Sequence, residues 1–435
     1  MHVGLITIAV FIGLLILLGT GLPVAFSLMG ISVLFMLIFF GPEPLCLIAT
    51  SAFSQMRMEI IIAIPLFVFM SIVLQVSGIG EGLYDAMYKW MGRVRGGLAI
   101  GTIIASTLIA AMTGLGGTGV IIMGLLALPE MLKRNYNKQL SLGTIVAGGA
   151  LGPLIPPSAI MVLLGAYSNL SIGKMFIGGI VPGLIMSVIF IIYIAVKAYL
   201  NPQIAPALEV ELRVTWKEKF LCLRHLILPI VLIIVVLGSL YSGMCTPTEA
   251  AGFGAFGALV CTAIHRRLNW DTLKQALSSS LSITVMAIWL LIGGSCYATF
   301  LGYAGVRDFI ASALLGLPIG NMGIVVLMMV IALVLGMFID SGAIVVICIP
   351  IFMPVIKMMG IDPLWFGINF TIALIVGYIS PPFGMNLFYM KGIAPEGITM
   401  VDIYRGAVPF CLMMVIVLVI CMIFPSITMW LPNKM

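Results

Sequence analysis

Apolar stretches run along the chain from end to end, and polar residues mostly arrive as short punctuation between them. Val3–Leu18, Val24–Phe40, Ile60–Val76, Met175–Val196, Leu226–Leu240, Ile283–Leu301 and Val408–Phe424 approach or reach the roughly 20 residues that a helix needs to cross a bilayer. The longest polar interval, 198–225, is too short for a soluble domain. In hydrocarbon every backbone polar group needs an internal partner, so runs of this kind predict an all-α polytopic membrane protein. The first run lacks a basic segment before it, and Gly19-Thr-Gly-Leu-Pro23 leads straight into the second run, so it reads as a span rather than a cleavable signal.

Helix-breaking residues recur at a fixed distance. Pro129 and Pro354 lie 225 apart, as do Gly152 and Gly377, and Pro156-Pro157 and Pro381-Pro382. Pro23 and Pro247 stand 224 apart, and Gly179-Ile-Val-Pro182 is echoed by Gly406-Ala-Val-Pro409 at 227. Five matches in one register predict an internal repeat. The first unit spans 1–200, a basic cytoplasmic connector 201–225, and the second unit 226–435. Each holds about five spanning helices and one re-entrant hairpin. The first hairpin covers about 98–131 and breaks at Thr113-Gly-Leu-Gly-Gly-Thr-Gly119; the second covers about 324–358 and breaks at Phe338-Ile-Asp-Ser-Gly342. A broken helix follows each, at about 140–167 and 365–392.

Charge fixes the orientation. Arg93 and Arg95 stand at one end of the first hairpin and Lys133 and Arg134 at the other, which places both ends on the cytoplasmic face. An odd number of crossings per unit then makes the second unit inverted. With the N-terminus outside, only Arg57, Lys174, Arg307, Lys357 and Lys434 of the 21 Lys and Arg residues remain external, and Arg213 falls in the connector. Composition agrees: 62% of residues are hydrophobic and 8% charged, against about 25% charged in soluble domains. Eight cysteines are scattered singly, which indicates neither a metal site nor a disulfide framework. The net charge of +6 carries no nucleic-acid signal, and no cofactor is implied.

Four breaks in corresponding places of two inverted units mark a candidate substrate and ion site. Half-helix N-termini attract carboxylates, while half-helix C-termini and unwound carbonyls suit a cation such as Na⁺. The candidate residues are Thr113, Gly114, Gly116, Gly117 and Thr118 at the first tip, and Gly152, Ile155, Pro156, Pro157 and Ser158 at the first broken helix. Their counterparts are Gly336, Asp340, Ser341 and Gly342, then Gly377, Ser380, Pro381, Pro382 and Asn386. Backbone oxygens near Gly114, Gly152, Asp340 and Gly377 are the predicted Na⁺ ligands. Close helix packing is the competing role for the glycines. Asp340, an acid deep in an apolar segment, reads equally as a cation-site neighbour and as an ordinary N-cap. Glu249 reads as a capping residue paired with Thr246 or Thr248. Arg57, Glu59 and the stretch 81–95 read as interfacial.

Ile64-Pro-Leu-Phe67, Gly152-Pro-Leu-Ile-Pro-Pro-Ser158, Thr246-Pro-Thr-Glu-Ala-Ala251, Gly336-Met-Phe-Ile-Asp340, Gly360-Ile-Asp-Pro363 and Ser380-Pro-Pro-Phe-Gly-Met-Asn386 give nearly the whole chain a family likeness. It resembles the large membrane subunit of tripartite ATP-independent periplasmic (TRAP) transporters, the DctM-like family. The resemblance implies an elevator-type secondary transporter of the bacterial inner membrane, driven by sodium. It also implies two partner chains, a small four-helix membrane subunit and a periplasmic binding protein that delivers a small organic carboxylate. A proton-coupled organic anion transporter or a channel-like permease is the alternative. No G-x-x-x-x-G-K-[ST] loop is present, so ATP is not the direct energy source. An intramembrane enzyme would need a base within the membrane, and His2, His225 and His265 all lie at ends or in loops.

Overall fold

The computed structural model describes residues 3–92, 94–114, 116–207 and 216–435. Arg93, Arg213 and Leu115 of the first tip therefore lie outside the described residues. Among those described, the chain is helical throughout. α1 (Val3–Gly19) and α2 (Val24–Phe40) are followed by α3 (Leu45–Met56), a 3-10 turn (Glu59–Ile62), α4 (Ala63–Val76) and α5 (Ile79–Met91). Then come α6 (Gly97–Thr113), α7 (Gly116–Lys133), α8 (Lys138–Ala150), α9 (Ala159–Ser168) and α10 (Ile172–Leu200). α11 (Trp216–Tyr241) begins within the 201–225 connector, and α12 (Pro247–Ile264), α13 (Trp270–Tyr303) and α14 (Val306–Leu315) follow. The chain ends with α15 (Gly320–Gly336), α16 (Ser341–Met358), α17 (Pro363–Ile379), α18 (Met385–Ile393), α19 (Met400–Ile423) and the short α20 (Ser426–Met429).

Local chemistry sets these boundaries. Pro247 takes the first turn of α12, and Thr246 and Glu249 close a reciprocal capping box around it, so Glu249 is a cap. Thr399 and Asp402 repeat that device at α19. Asn137, Ser158, Ser171, Asn269 and Asp362 cap α8, α9, α10, α13 and α17 through side-chain oxygens. Asn169, left-handed at φ 53°, ends α9. The proposed interfacial stretches are helical in part: α3 stops at Met56 with Arg57 as its C-cap, and α5 carries an Asp85–Lys89 ion pair of 2.6 Å.

Among the described residues, six helices are long and apolar enough to cross a membrane, or seven if the bent α4–α5 pair counts as one span. Outward faces carry the exposed aliphatic surface that lipid requires: Leu15, Ile38, Ile234 and Ile423 are all more than 60% exposed. The interior is the reverse. Every residue of α17 from Leu364 to Ile379 is buried. Packing sorts the helices into two groups. α2, α3, α4, α11 and α12 pack with α13, α4 or one another, whereas α7 to α10 pack with α16 to α19; α6 joins this second group through α7 and α8, and α15 through α17. The two halves of the chain interlock in the second group, where α8 lies on α19 so closely that a Cβ on Gly143 would strike the Gly406 carbonyl.

α6 and α7 pack on each other, and the chain leaves α6 through the left-handed Gly114. Their far ends stay together, because the Leu98 amide donates to the Tyr136 hydroxyl at 3.3 Å. α15 and α16 also pack together, and Met322 and Ile361 from their far ends border one surface hollow.

Candidate functional site

The tips of the two hairpins face one cavity. Gly114, Gly116, Gly117 and Thr118 from the first, and Asp340 and Gly342 from the second, line one cavity of about 310 Å³. It lies between the two helix groups. Ile64 and Val68 of α4 and Ile283, Met286 and Leu290 of α13 form one wall; Pro153, Ile160, Tyr378 and Tyr389 contribute the opposite side. The N-terminal turns of α7 and α16 thus open onto a shared space.

Glycine is required at two of these positions for stated reasons. Gly114 adopts φ 62°, and a side chain there would run into the Pro157 carbonyl oxygen, so the first tip rests directly on the first Pro-Pro break. A Cβ on Gly117 would lie 2.5 Å from the Tyr389 ring, which belongs to the second half of the chain. Both tandem prolines, Pro156-Pro157 and Pro381-Pro382, carry cis peptide bonds.

Asp340 caps α16. Its Oδ2 accepts the Gly342 amide at 2.9 Å, and its Oδ1 accepts the Tyr378 hydroxyl at 3.1 Å. The Ser341 amide donates in turn to the Tyr378 oxygen at 3.3 Å. Tyr378 is therefore the clamp that fixes the second tip against the second broken helix. Ser341 Oγ is buried with no hydrogen-bond partner, and so is Asn386 Oδ1. Such orphaned oxygens are uncommon in folded proteins.

Other expected site residues stand aside from the cavity. Thr113 bonds the Ile109 carbonyl at 2.9 Å and lines a separate small void with Pro157. The Ser158 hydroxyl donates to the Pro153 carbonyl at 2.6 Å and caps α9, and the Ser380 hydroxyl donates to Val376 at 2.8 Å. These hydroxyls are committed to their own backbone. Gly336 and Gly377 face each other, with a Cβ on Gly377 placed 2.7 Å from the Gly336 Cα, so close packing of α15 on α17 accounts for both. Gly152 and Ile155 are buried in the turn after α8, their amides bonded to Gly149 and Leu151. Residue patterns alone missed Tyr378, Tyr389 and the aliphatic wall. A tyrosine in an apolar helix just before Pro-Pro was the one available signal.

Interlocked apolar helices whose breaks border one shared cavity are the build of a polytopic membrane transporter. The fold agrees: the chain superposes on the Alcanivorax borkumensis YdaH transporter with a TM-score of 0.63 over 89% of each chain at 14% identity. For Neisseria gonorrhoeae MtrF the TM-score is 0.62 at 13% identity, over 91% of this chain and 85% of that one. Sequence carries the assignment further. The family described as "Tripartite ATP-independent periplasmic transporter, DctM component" matches residues 11–427. The C4-dicarboxylate TRAP transporter large permease protein DctM of Pseudomonas aeruginosa is 30% identical over 93% of both chains. The ectoine TRAP transporter large permease protein TeaC of Halomonas elongata is 29% identical over 98% of this chain. The isethionate TRAP transporter permease protein DctMQ of Oleidesulfovibrio alaskensis is 31% identical, and the chain spans 64% of its length. The chain belongs to the DctM family of TRAP transporter large permease subunits, and it is a transporter subunit rather than an enzyme.

Proposed function

We propose that this permease imports a small carboxylate-bearing organic solute across a bacterial inner membrane, driven by sodium. A periplasmic binding protein delivers the solute, and a small four-helix membrane subunit accompanies the permease. The observation that carries this reading is the cavity that Gly114, Gly116, Gly117 and Thr118 line together with Asp340 and Gly342. Two helix N-termini open onto it, and such ends hold carboxylates. The cation sites lie just behind the tips. One uses carbonyls of Gly114–Thr118 and Gly152–Ser158, which the Gly114–Pro157 contact brings together. The other uses Asp340–Gly342 and Gly377–Ser380, joined by the Tyr378 clamp, with the orphaned Ser341 oxygen as a ready ligand. Oxygen-only coordination of this kind suits a hard monovalent cation.

The two units, 1–200 and 226–435, act as inverted repeats with re-entrant hairpins. The cavity's place between the α4–α13 group and the hairpin group supports an elevator motion of the second past the first. In proteoliposomes holding the chain and the small subunit, uptake should require both added binding protein and external sodium. Equal uptake without either refutes the reading.

A further inference from the structure

Among the described residues lining the cavity, Asp340 is the one with a formal charge. The wall facing it is aliphatic: Ile64, Val68, Ile283, Met286 and Leu290, with Leu163 beside them. We propose that the solute is a monocarboxylate with an apolar body, rather than a dicarboxylate or a polyhydroxy acid.

The proposal rests on the sodium-coupled reading above and narrows it. Two sodium ions and the Asp340 carboxylate leave one positive charge, which a single carboxylate balances. That carboxylate sits at the hairpin tips, where amide donors are available. The rest of the solute then lies along α4 and α13, which present carbon and sulfur but no hydrogen-bonding side chain from the wall residues named above. The hydroxyls of Thr118, Tyr378 and Tyr389 also line the cavity, but they come from the hairpin group and Tyr378 is already bonded to Asp340. A second carboxylate, or a row of hydroxyls, placed along α4 and α13 gains no partner from those two helices. An alkyl body gains what the polar body loses. Because the α4–α13 wall belongs to the other helix group, the permease reads the apolar half with one group and the charged half with the other.

A homologous series tests this on the purified full-length chain in sodium buffer, with affinity taken from thermal stabilisation. The probes are butanoate, pentanoate, hexanoate and heptanoate. Each added methylene should tighten binding about fourfold, the ordinary gain for burying one CH₂, until the cavity of about 310 Å³ is filled. Adipate and gluconate should bind on the order of tenfold or more weakly than hexanoate. Primary alcohols of the same lengths, being neutral, partition into detergent more readily than the acids and should still not stabilise the protein. A flat series, adipate binding as tightly as hexanoate, alcohols matching the acids, or no stabilisation by any acid overturns the proposal. Sodium titrated without any acid reports on the coupling sites separately. A normal sodium response with a flat acid series sinks the substrate class alone, and a missing sodium response with an intact series sinks the coupling alone.

Discussion

Asp340→Asn separates the two roles that the second tip assigns to one side chain. Asparagine caps a helix about as well as aspartate, so the bond from the Gly342 amide, 2.9 Å in the native protein, survives. Toward Tyr378 it offers an amide donor where a carboxylate oxygen now accepts at 3.1 Å, so the phenol loses its acceptor. One hydrogen bond to a charged group is worth about 1.5–3 kcal/mol, a loss the fold should tolerate. The charge matters more. A carboxylate about 4 Å from a cation contributes about 4 kcal/mol at an effective dielectric of 20 and about 1 in water. Asp340 is half-buried, so an intermediate value of roughly 1–2 kcal/mol applies, a factor of about 5–30 in binding. The half-saturating sodium concentration for transport should rise by that factor, with normal expression and membrane insertion. Unchanged sodium dependence in a folded Asp340→Asn variant would refute the electrostatic role and leave a cap.

Asp340→Ala removes the cap as well, and should lower stability by about 0.5–2 kcal/mol in addition to impairing sodium use, read as a fall in melting temperature. Gly117→Val should displace the Tyr389 ring from the cavity and cut transport at least tenfold, an order-of-magnitude estimate from misplacing a site wall, and Tyr389→Ala in the same protein should restore part of the loss. Gly377→Ala presses a methyl against the Gly336 backbone and should destabilise by about 1–3 kcal/mol, whereas Gly392→Ala, with nothing within 4 Å, should be nearly silent in the same melting assay. Cysteines at Arg95 and Asn135 should react with an impermeant reagent from one and the same face of the membrane; labelling from opposite faces would rule out the first re-entrant hairpin.

The helical class and the helix breaks were legible because their causes are local. Gly114 ends α6, and α8 and α17 stop ahead of Pro156-Pro157 and Pro381-Pro382, while α15 stops at Gly336 before the capping Asp340. Thr246-Pro-Thr-Glu249 announced its capping box in four residues. The cavity itself was only half legible. Its glycine-rich tips stand out in the chain, but Ile64, Val68, Met286 and Leu290 look like any other lipid-soluble residues until packing of α4 and α13 brings them opposite the tips. The bonding of Ser158 and Ser380 was hidden for the complementary reason. A hydroxyl beside a break looks free in sequence, yet the backbone carbonyls of Pro153 and Val376 lie within its reach.

The central claim is that sodium entering through this permease drives the solute inward. The direct measurement is solute accumulation in proteoliposomes containing the permease, its small subunit and the binding protein, with an inward sodium gradient and equal pH on both sides. Accumulation above the external concentration, collapsing when a sodium ionophore is added, is the predicted result. The same accumulation driven by a pH gradient in sodium-free buffer would contradict the account and leave Asp340 as a proton carrier.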